Sequence, residues 1–143
     1  MTIAALKLIA FGFLIAVVAV PSSVTVERDP CVDKMSNADL RECYSKEQAR
    51  VNAEADSLAS AIAIRFRRDA QEPIAGPVVS EALRKAASAV TKSQRIWKGY
   101  RDQHCEAVMH SWTTGSGAGA AHESCMLNLG RARVQQLRTD FPH

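Results

Sequence analysis

The sequence is poor in the residues that build sheets and rigid loops. Among its 143 residues are two Trp, two Tyr, four Phe and five Pro, and no stretch of useful length alternates apolar and polar residues as a half-buried strand does. Alanine and charged residues, several of them strong helix formers, are abundant instead. The composition favours an all-α fold, and the length is typical of one domain.

The sequence also has no lysine- or arginine-rich run, and its formal net charge is only +3. Loss of the N-terminal segment described below removes Lys7 and leaves +2. The densest basic patch, formed by Arg65, Arg67 and Arg68, is expected to be a solvated helix end, where the helix dipole favours cations. We therefore expect no nucleic-acid partner.

Common metal and haem motifs are missing. No Cys-x-x-Cys or Cys-x-x-Cys-His occurs, and spacings of 12, 62 and 20 residues separate the four cysteines, which match no common zinc signature. A metal site that combines these thiols with His104, His110 or His122 is the disfavoured alternative. We expect no metal and no cofactor.

Catalytic residues are not expected either. Asp102 and His104 are two positions apart on a predicted helix, so their side chains point in different directions. His110 and Ser111 lie at a predicted helix end, where no third group orients them. The chain is therefore interpreted as a non-catalytic protein.

The N-terminus has the pattern of an export signal. Lys7 precedes an apolar run from Leu8 to Val20, which Pro21 and Ser22 end. This run is too short to span a bilayer comfortably but suits the apolar region of a signal peptide. We predict a signal peptide over residues 1–22 and a mature domain over 23–143, located in the periplasm or secreted. An uncleaved anchor is the alternative; lipoprotein cleavage at Cys31 is disfavoured because that cysteine lies well beyond the run.

Three helices are predicted in the mature chain. Helix 1 begins after Ser36, in a variant capping box, and runs to about Asp69. Helix 2 begins near Val78, with Ser80 as a possible cap, and ends near His110. Helix 3 covers about 121–139, after a flexible loop over 111–120. Short connections predict an antiparallel, up-down-up three-helix bundle.

Each helix has one predicted apolar face. On helix 1 it contains Leu40, Tyr44, Val51, Ala55, Leu58, Ile62 and Phe66. On helix 2 it contains Val79, Leu83, Ala86, Val90, Trp97, Tyr100 and His104. On helix 3 it contains Met126, Leu129, Arg133 and Leu137.

The four cysteines indicate two disulfides if the chain is exported. In the predicted topology all four lie at one end of the bundle. Three pairings are possible. We prefer the local set, Cys31–Cys43 with Cys105–Cys125, because each bond joins cysteines that are close in sequence. In that set Trp97, eight residues before Cys105, and Arg133, eight residues after Cys125, lie at about the same level along the bundle axis. We therefore expect a cation–π contact between them. The alternative for Arg133 is an exposed helix charge.

The chain resembles the lysozyme-inhibitor LprI-like family. The resemblance rests on Trp97, Tyr100-Arg101-Asp102, Cys105, a glycine-rich gap, Cys125-Met126-Leu127, Arg133 and Leu137. The front half agrees through Cys31, Cys43 and Ala55-Asp56-x-Leu58. The sequence departs from the family at Ala59 and Ile62, and Gly130 stands where a tyrosine is common.

The resemblance implies a small exported helical domain that binds lysozyme-type muramidases. We expect the segment of Ser111, Trp112, Thr113, Thr114, Gly115, Ser116 and Gly117 to be the binding loop, with Trp112 as anchor and hydroxyls that face catalytic carboxylates. A net charge of +2 and a flexible loop count against it. The alternative is an envelope interaction domain with another protein partner. We expect no membrane contact beyond the leader, and the oligomeric state stays open.

Overall fold

The computed structural model describes residues 29–113 and 115–142. In this part of the chain lie three helices, α1 (Asn37–Asp69), α2 (Gly76–Ser111) and α3 (Ala118–Asp140), with a 3₁₀ turn at Pro73–Ala75. Each helix packs against the other two. The predicted all-α three-helix bundle is therefore confirmed. The predicted signal peptide, residues 1–22, lies outside the described residues.

Contacts between the helices give their directions. Gly119 lies beside Arg41, and Gly130 lies beside Asn52, so α3 runs parallel to α1. Asp56 on α1 accepts hydrogen bonds from Gln94 and Lys98 on α2. The Cys105–Cys125 bond joins the end of α2 to the start of α3. Arg133, further along α3, donates to Ser93 and Gln94, which come earlier in α2, so α2 is antiparallel to α3 and therefore to α1.

Helix α1 begins where the sequence predicts. Ser36 has extended backbone angles, and its Oγ accepts a hydrogen bond of 3.1 Å from the Asp39 N–H. The same hydroxyl donates to the Asp39 carboxylate at 2.7 Å. These bonds satisfy an amide at the start of the helix that has no partner within it.

Helix α2 begins two residues earlier than predicted, and the expected cap at Ser80 is wrong. Ala75 precedes the helix and makes no side-chain capping bond. Gly76 has φ +67°, a left-handed value that suits glycine. Pro77 then lies in the first turn, where a missing N–H costs nothing. Gly76 and Pro77 thus start the helix, and Ser80 lies inside it.

The loop between α2 and α3 is shorter than expected. Helix α2 extends to Ser111 and α3 begins at Ala118, so six residues connect them instead of ten. Ala118 to Ala120 are helical because this turn has a packing partner: Ala120 is buried, and a Cβ on Gly119 would lie 3.1 Å from the Arg41 Cδ. The prediction of a flexible segment over 118–120 is wrong.

Two apolar clusters fill the bundle. One contains Ala59, Ile62, Ala63, Ala87, Val90 and Leu137. The other contains Val51, Ala55, Leu127 and Val134. Both draw on the predicted face of α1, which is confirmed.

The predicted faces of α2 and α3 need correction. On α2, Val79, Tyr100 and His104 are exposed. The buried line of α2 contains Ala87, Val90, Gln94, Arg101 and Cys105. Its two long polar side chains point inward because partners there satisfy them. On α3 the fully buried residues are Ala120, Leu127, Gly130, Arg133, Val134 and Leu137, while Met126 and Leu129 are only partly buried.

Glycine at position 130 lets α1 and α3 approach closely. A Cβ there would lie 2.8 Å from the Asn52 Oδ1 and 3.0 Å from the Val51 Cγ1. A tyrosine, common at this point in the family that the sequence resembles, does not fit between these helices. Close packing at Gly130 therefore replaces the aromatic group that the resemblance leads one to expect.

Both preferred disulfides are present, Cys31–Cys43 and Cys105–Cys125, with Cα–Cα distances of 5.9 and 5.6 Å. The first folds residues 29–36 back onto α1, and the second joins α2 to α3 on either side of their loop. Asp29 reinforces the first connection, since it accepts hydrogen bonds from the Tyr44 hydroxyl (2.6 Å) and the Cys31 N–H (2.8 Å). The bundle is covalently closed at one end.

Candidate functional site

One end of the bundle is acidic, and the rest of the bundle is basic. We call residues 29–47 and 102–125, which surround both disulfides, the disulfide end. Its described residues contain eight Asp or Glu and three Lys or Arg. The other described residues contain six acidic and 13 basic side chains. The small net charge of the chain therefore conceals a strongly polarised molecule.

The α2–α3 loop lies at the disulfide end and presents Trp112, whose surface is 50% exposed. The other side of its indole packs on Gly117, where a Cβ would lie 2.8 Å from the Trp112 Cζ3. The Gly115 N–H donates to the Trp112 carbonyl at 2.9 Å, and the Ala118 N–H donates to the Gly115 carbonyl at 3.1 Å. The indole is thus held in a hydrogen-bonded turn, which explains the choice of glycine at 117.

The hydroxyl groups of this segment have different roles. Ser111 is the last residue of α2, and its hydroxyl donates to the Val108 carbonyl at 2.7 Å. Ser116 accepts a hydrogen bond of 3.0 Å from the Asn37 amide, which leaves its own proton for a further acceptor. Thr113 is exposed and has φ 52°. Thr114 lies outside the described residues.

A groove of about 440 Å³ separates the loop from the start of α1. Its lining combines the loop and the first turns of two helices: Asn37, Leu40, Tyr44, Trp112, Gly115, Ser116, Gly117, Ala120, Ala121 and Ser124. Burial raises the pKa of the Tyr44 phenol, and its hydrogen bond to Asp29 adds to the effect. Tyr44 therefore lines the groove as a neutral donor, oriented by the N-terminal segment.

Trp97 is the centre of a second group of side chains, in the middle of the bundle. The guanidinium carbons of Arg101 and Arg133 lie 5.1 and 5.8 Å from the centre of its ring. Both arginines are buried. The predicted cation–π contact between Trp97 and Arg133 is therefore confirmed, and the alternative of an exposed Arg133 is wrong. The contact of Arg101 is a further one that sequence reasoning did not anticipate.

Arg133 is held by hydrogen bonds from α3 to α2. Its Nε donates to the Gln94 Oε1 at 2.9 Å, and an Nη donates to the Ser93 hydroxyl at 3.1 Å. Burial lowers the pKa of the guanidinium, and the charge of Asp140 opposes that effect. An arginine remains charged at any ordinary pH, so Arg133 is a buried cation whose partners here are mostly neutral dipoles.

The network continues to α1 through Asp56. The amide of Gln94 donates to Asp56 at 3.0 Å, and the Lys98 ammonium donates at 2.9 Å. Burial alone raises the pKa of Asp56, but the hydrogen bonds from Lys98 and Gln94 outweigh it and lower the pKa below its ordinary value of 3.8. Asp56 therefore serves as an ionised link among three helices.

The structure brings together only some of the residues that carry the resemblance. Trp97, Arg101 and Arg133 meet, and Asp102 accepts two hydrogen bonds from Arg101. Leu137 lies apart from them in an apolar cluster. Tyr100 is exposed and stacks on His104 at 5.5 Å. Gln94, Ser93 and Lys98 complete the network, and their positions on α2 gave no signal beyond helical spacing.

Within 29–113 and 115–142, no three His, Cys, Asp or Glu side chains form a group able to hold a metal ion. In those ranges no helix is long and apolar enough to cross a bilayer.

The fold and the two side-chain groups define a class of small helical domain with two disulfides and a polar, Trp-centred core. The sequence profile of the family described as "Lysozyme inhibitor LprI" matches residues 31–137. The chain belongs to this family. It is also 25% identical over 118 residues to "Uncharacterized protein R02472" of Rhizobium meliloti (strain 1021), covering 82% of this chain and 83% of that one. No solved structure matches it.

Proposed function

We propose that this protein binds a lysozyme-type muramidase through its disulfide end and blocks it without any catalytic step. The observation that carries the proposal is the half-exposed Trp112, held on a short folded loop at the acidic end of a family member. Aromatic side chains held rigidly at a protruding surface are the usual anchors of tight protein interfaces. Trp112 is the group that enters the sugar-binding cleft.

The polarity of the molecule supports a cationic partner. Many lysozymes are strongly basic, and a net charge of +2 offers them no attraction. The disulfide end nevertheless carries eight carboxylates against three Lys or Arg. These carboxylates steer a basic enzyme toward the loop and accelerate association at low ionic strength.

The loop is already folded, so it loses less conformational entropy on binding than its glycine-rich sequence suggests. Hydrogen bonds to carbonyls of His110 and Trp112 fold it, and the Cys105–Cys125 bond joins the helices on either side. A surface that is ordered before binding retains more of its contact energy as affinity. Ser116 and Thr113 then supply hydroxyls beside the anchor.

The proposed location is the periplasm or the exterior, reached with the signal peptide over residues 1–22. Two disulfides among the described residues agree with an oxidising compartment, since cytosolic proteins keep cysteines reduced. Muramidases that attack the cell wall are met in that compartment.

An activity titration tests the proposal. Oxidised, leader-free protein is added to c-type and g-type lysozymes, together with Trp112→Ala and a matched control, Ile96→Ala, which truncates an exposed apolar side chain on α2. We expect stoichiometric inhibition of at least one enzyme, an affinity loss of about 2 kcal/mol or more for Trp112→Ala, and no change for the control. Full enzyme activity at micromolar protein contradicts the proposal and favours an envelope interaction domain with another partner.

A further inference from the structure

The end of the bundle opposite the disulfides exposes an apolar tip. Ile74 in the 3₁₀ turn is 96% exposed, and Val78 in the first turn of α2 is 81% exposed. Val79 beside Val78 is also exposed. Pro73 and Pro77 flank the stretch from Ile74 to Gly76 and restrict its backbone. Adjacent aliphatic side chains at a protruding tip are a costly arrangement in water unless a partner covers them.

A cation-lined groove of about 550 Å³ begins next to this tip, between α1 and α2. Its lining contains four cations and no carboxylate: Arg67, Arg84, Ala87, Ser88, Thr91, Lys92 and Arg95. Arg84 is paired with Glu81 at 3.1 Å. In the described part of the chain, Arg67, Lys92 and Arg95 form no ion pair, so three cations face solvent without a counter-charge.

We propose that this tip and the cation-lined groove beside it dock on the surface of an anionic phospholipid bilayer. Ile74 and Val78 enter the boundary between headgroups and acyl chains, and the cations of the groove contact lipid phosphates. An apolar edge beside a basic surface is the combination by which proteins lie on anionic membranes. This inference does not depend on muramidase binding, and it departs from the expectation of no membrane contact beyond the leader.

A bilayer fits these two features better than other anionic partners. A soluble polyanion engages the cations but leaves Ile74 and Val78 in water. A protein interface is usually anchored by aromatic side chains, whereas the tip offers only aliphatic ones. The acidic disulfide end of a second copy is the remaining occupant, and the experiment distinguishes it.

Contact of both features with lipid sets an orientation. Arg95 lies 17 residues after Val78 in α2, about 26 Å along the helix axis at 1.5 Å per residue. For Val78 and Arg95 both to reach the lipid, α2 must lie along the bilayer surface rather than stand on it.

Vesicle co-sedimentation tests the proposal with oxidised, leader-free protein. Vesicles contain phosphatidylcholine alone or equal parts of phosphatidylcholine and phosphatidylglycerol. The test variants are Ile74→Ser and the double variant Lys92→Gln/Arg95→Gln. The matched controls lie at the disulfide end: Met35→Ser, which alters a side chain that is 97% exposed, and Lys34→Gln/Lys46→Gln.

We expect binding to the anionic vesicles only, weakened by salt. Each lost cation should reduce partitioning about fivefold, the equivalent of about 1 kcal/mol near an anionic surface. Ile74→Ser should reduce it about tenfold, and the two controls should bind like the parent. Because all altered residues are exposed or line an open groove, unchanged circular dichroism is expected for every variant.

Three results overturn the proposal. Equal binding to both vesicle types, or no binding to either, removes the anionic bilayer as partner. Competition by soluble polyphosphate together with unchanged binding of Ile74→Ser shows a soluble polyanion site instead. If the protein sediments without vesicles, and Lys92→Gln/Arg95→Gln abolishes this sedimentation, the cation-lined groove binds a second copy instead.

Discussion

The guanidinium carbon of Arg133 on α3 lies 5.8 Å from the centre of the Trp97 ring on α2. The same guanidinium donates to Gln94, and Gln94 donates to Asp56 on α1. One arginine thus connects an aromatic contact with a hydrogen-bond network that includes all three helices. Polar groups satisfied in this way fix one relative arrangement of the helices, because any other leaves a charge buried without partners.

Removal of Arg133 is expected to be costly and coupled to Trp97. Arg133→Met leaves the Gln94 carbonyl oxygen without its donor, and we expect a loss of about 1–3 kcal/mol in the free energy of unfolding. A double-mutant cycle with Trp97→Leu should give a coupling energy of about 0.5–2 kcal/mol. Urea denaturation of the four proteins measures both quantities.

Arg138 provides the matched control, since it forms an exposed ion pair of 2.6 Å with Glu54. Arg138→Met should cost at most about 1 kcal/mol. Additive effects of the Arg133 and Trp97 substitutions, or equal losses at 133 and 138, contradict the role assigned to the buried network.

Two helical glycines should respond in opposite directions to alanine. At Gly99 an added Cβ meets nothing within 4 Å, so Gly99→Ala should stabilise by about 0.5–1 kcal/mol. At Gly130 the Cβ meets Asn52 and Val51 at 3.0 Å or less, so Gly130→Ala should destabilise by about 1 kcal/mol after the propensity gain is subtracted. Thermal denaturation of both variants measures the difference, and a shared sign contradicts the close α1–α3 packing.

Each disulfide should contribute about 3 kcal/mol, from the chain entropy of closed loops of this size. Sequence separations of 12 and 20 residues make the two contributions similar. Cys105→Ser/Cys125→Ser should in addition speed amide exchange in the α2–α3 loop, whereas Cys31→Ser/Cys43→Ser should leave that loop unchanged. Denaturation and hydrogen exchange with and without reductant measure these effects. Equal stability of oxidised and reduced protein is the opposing result.

Acid should weaken the bundle through Asp56. Its pKa in the folded state is lowered from 3.8, so the folded protein binds this proton less tightly than the unfolded chain does. Its stabilisation is therefore present above about pH 4 and is lost as the pH falls through the folded-state pKa. Asp56→Asn should lower the melting temperature at neutral pH and flatten the acid limb of the stability curve. Glu81→Gln, which alters an exposed surface pair, should leave that limb largely intact, and identical pH curves for Asp56→Asn and the parent contradict the assignment.

The sequence predicted helix ends and disulfides best where residues close together in the chain determine them. The start of α1 was predictable from Ser36 and Asp39, because these neighbouring residues form the cap. The spacing of four cysteines at one end favoured the observed pairing. The start of α2 was misplaced because glycine and proline usually interrupt helices, yet Gly76 and Pro77 are the first two residues of this one.

The polar core was only partly predictable. Trp97 and Arg133 were paired from their equal distances to bonded cysteines, and Arg101 was singled out only through the family motif, whereas nothing singled out Gln94. The burial of Gln94 depends on Asp56 and Arg133, which are distant in sequence. Gly130 was noted only as a missing tyrosine, because the close approach of α1 that requires glycine there involves residues distant in sequence. The polarity of charge likewise appeared only when residues 29–47 and 102–125 came together.

Hydrogen exchange of the oxidised protein, alone and with an excess of lysozyme, shows which surface a muramidase covers. We expect protection at the α2–α3 loop and the first turns of α1, which line the groove beside Trp112. The cation-lined groove, including Lys92 and Arg95, should exchange at the same rate in both samples. Unchanged exchange at the loop, or protection confined to that groove, would show that the disulfide end is not where this protein meets a muramidase.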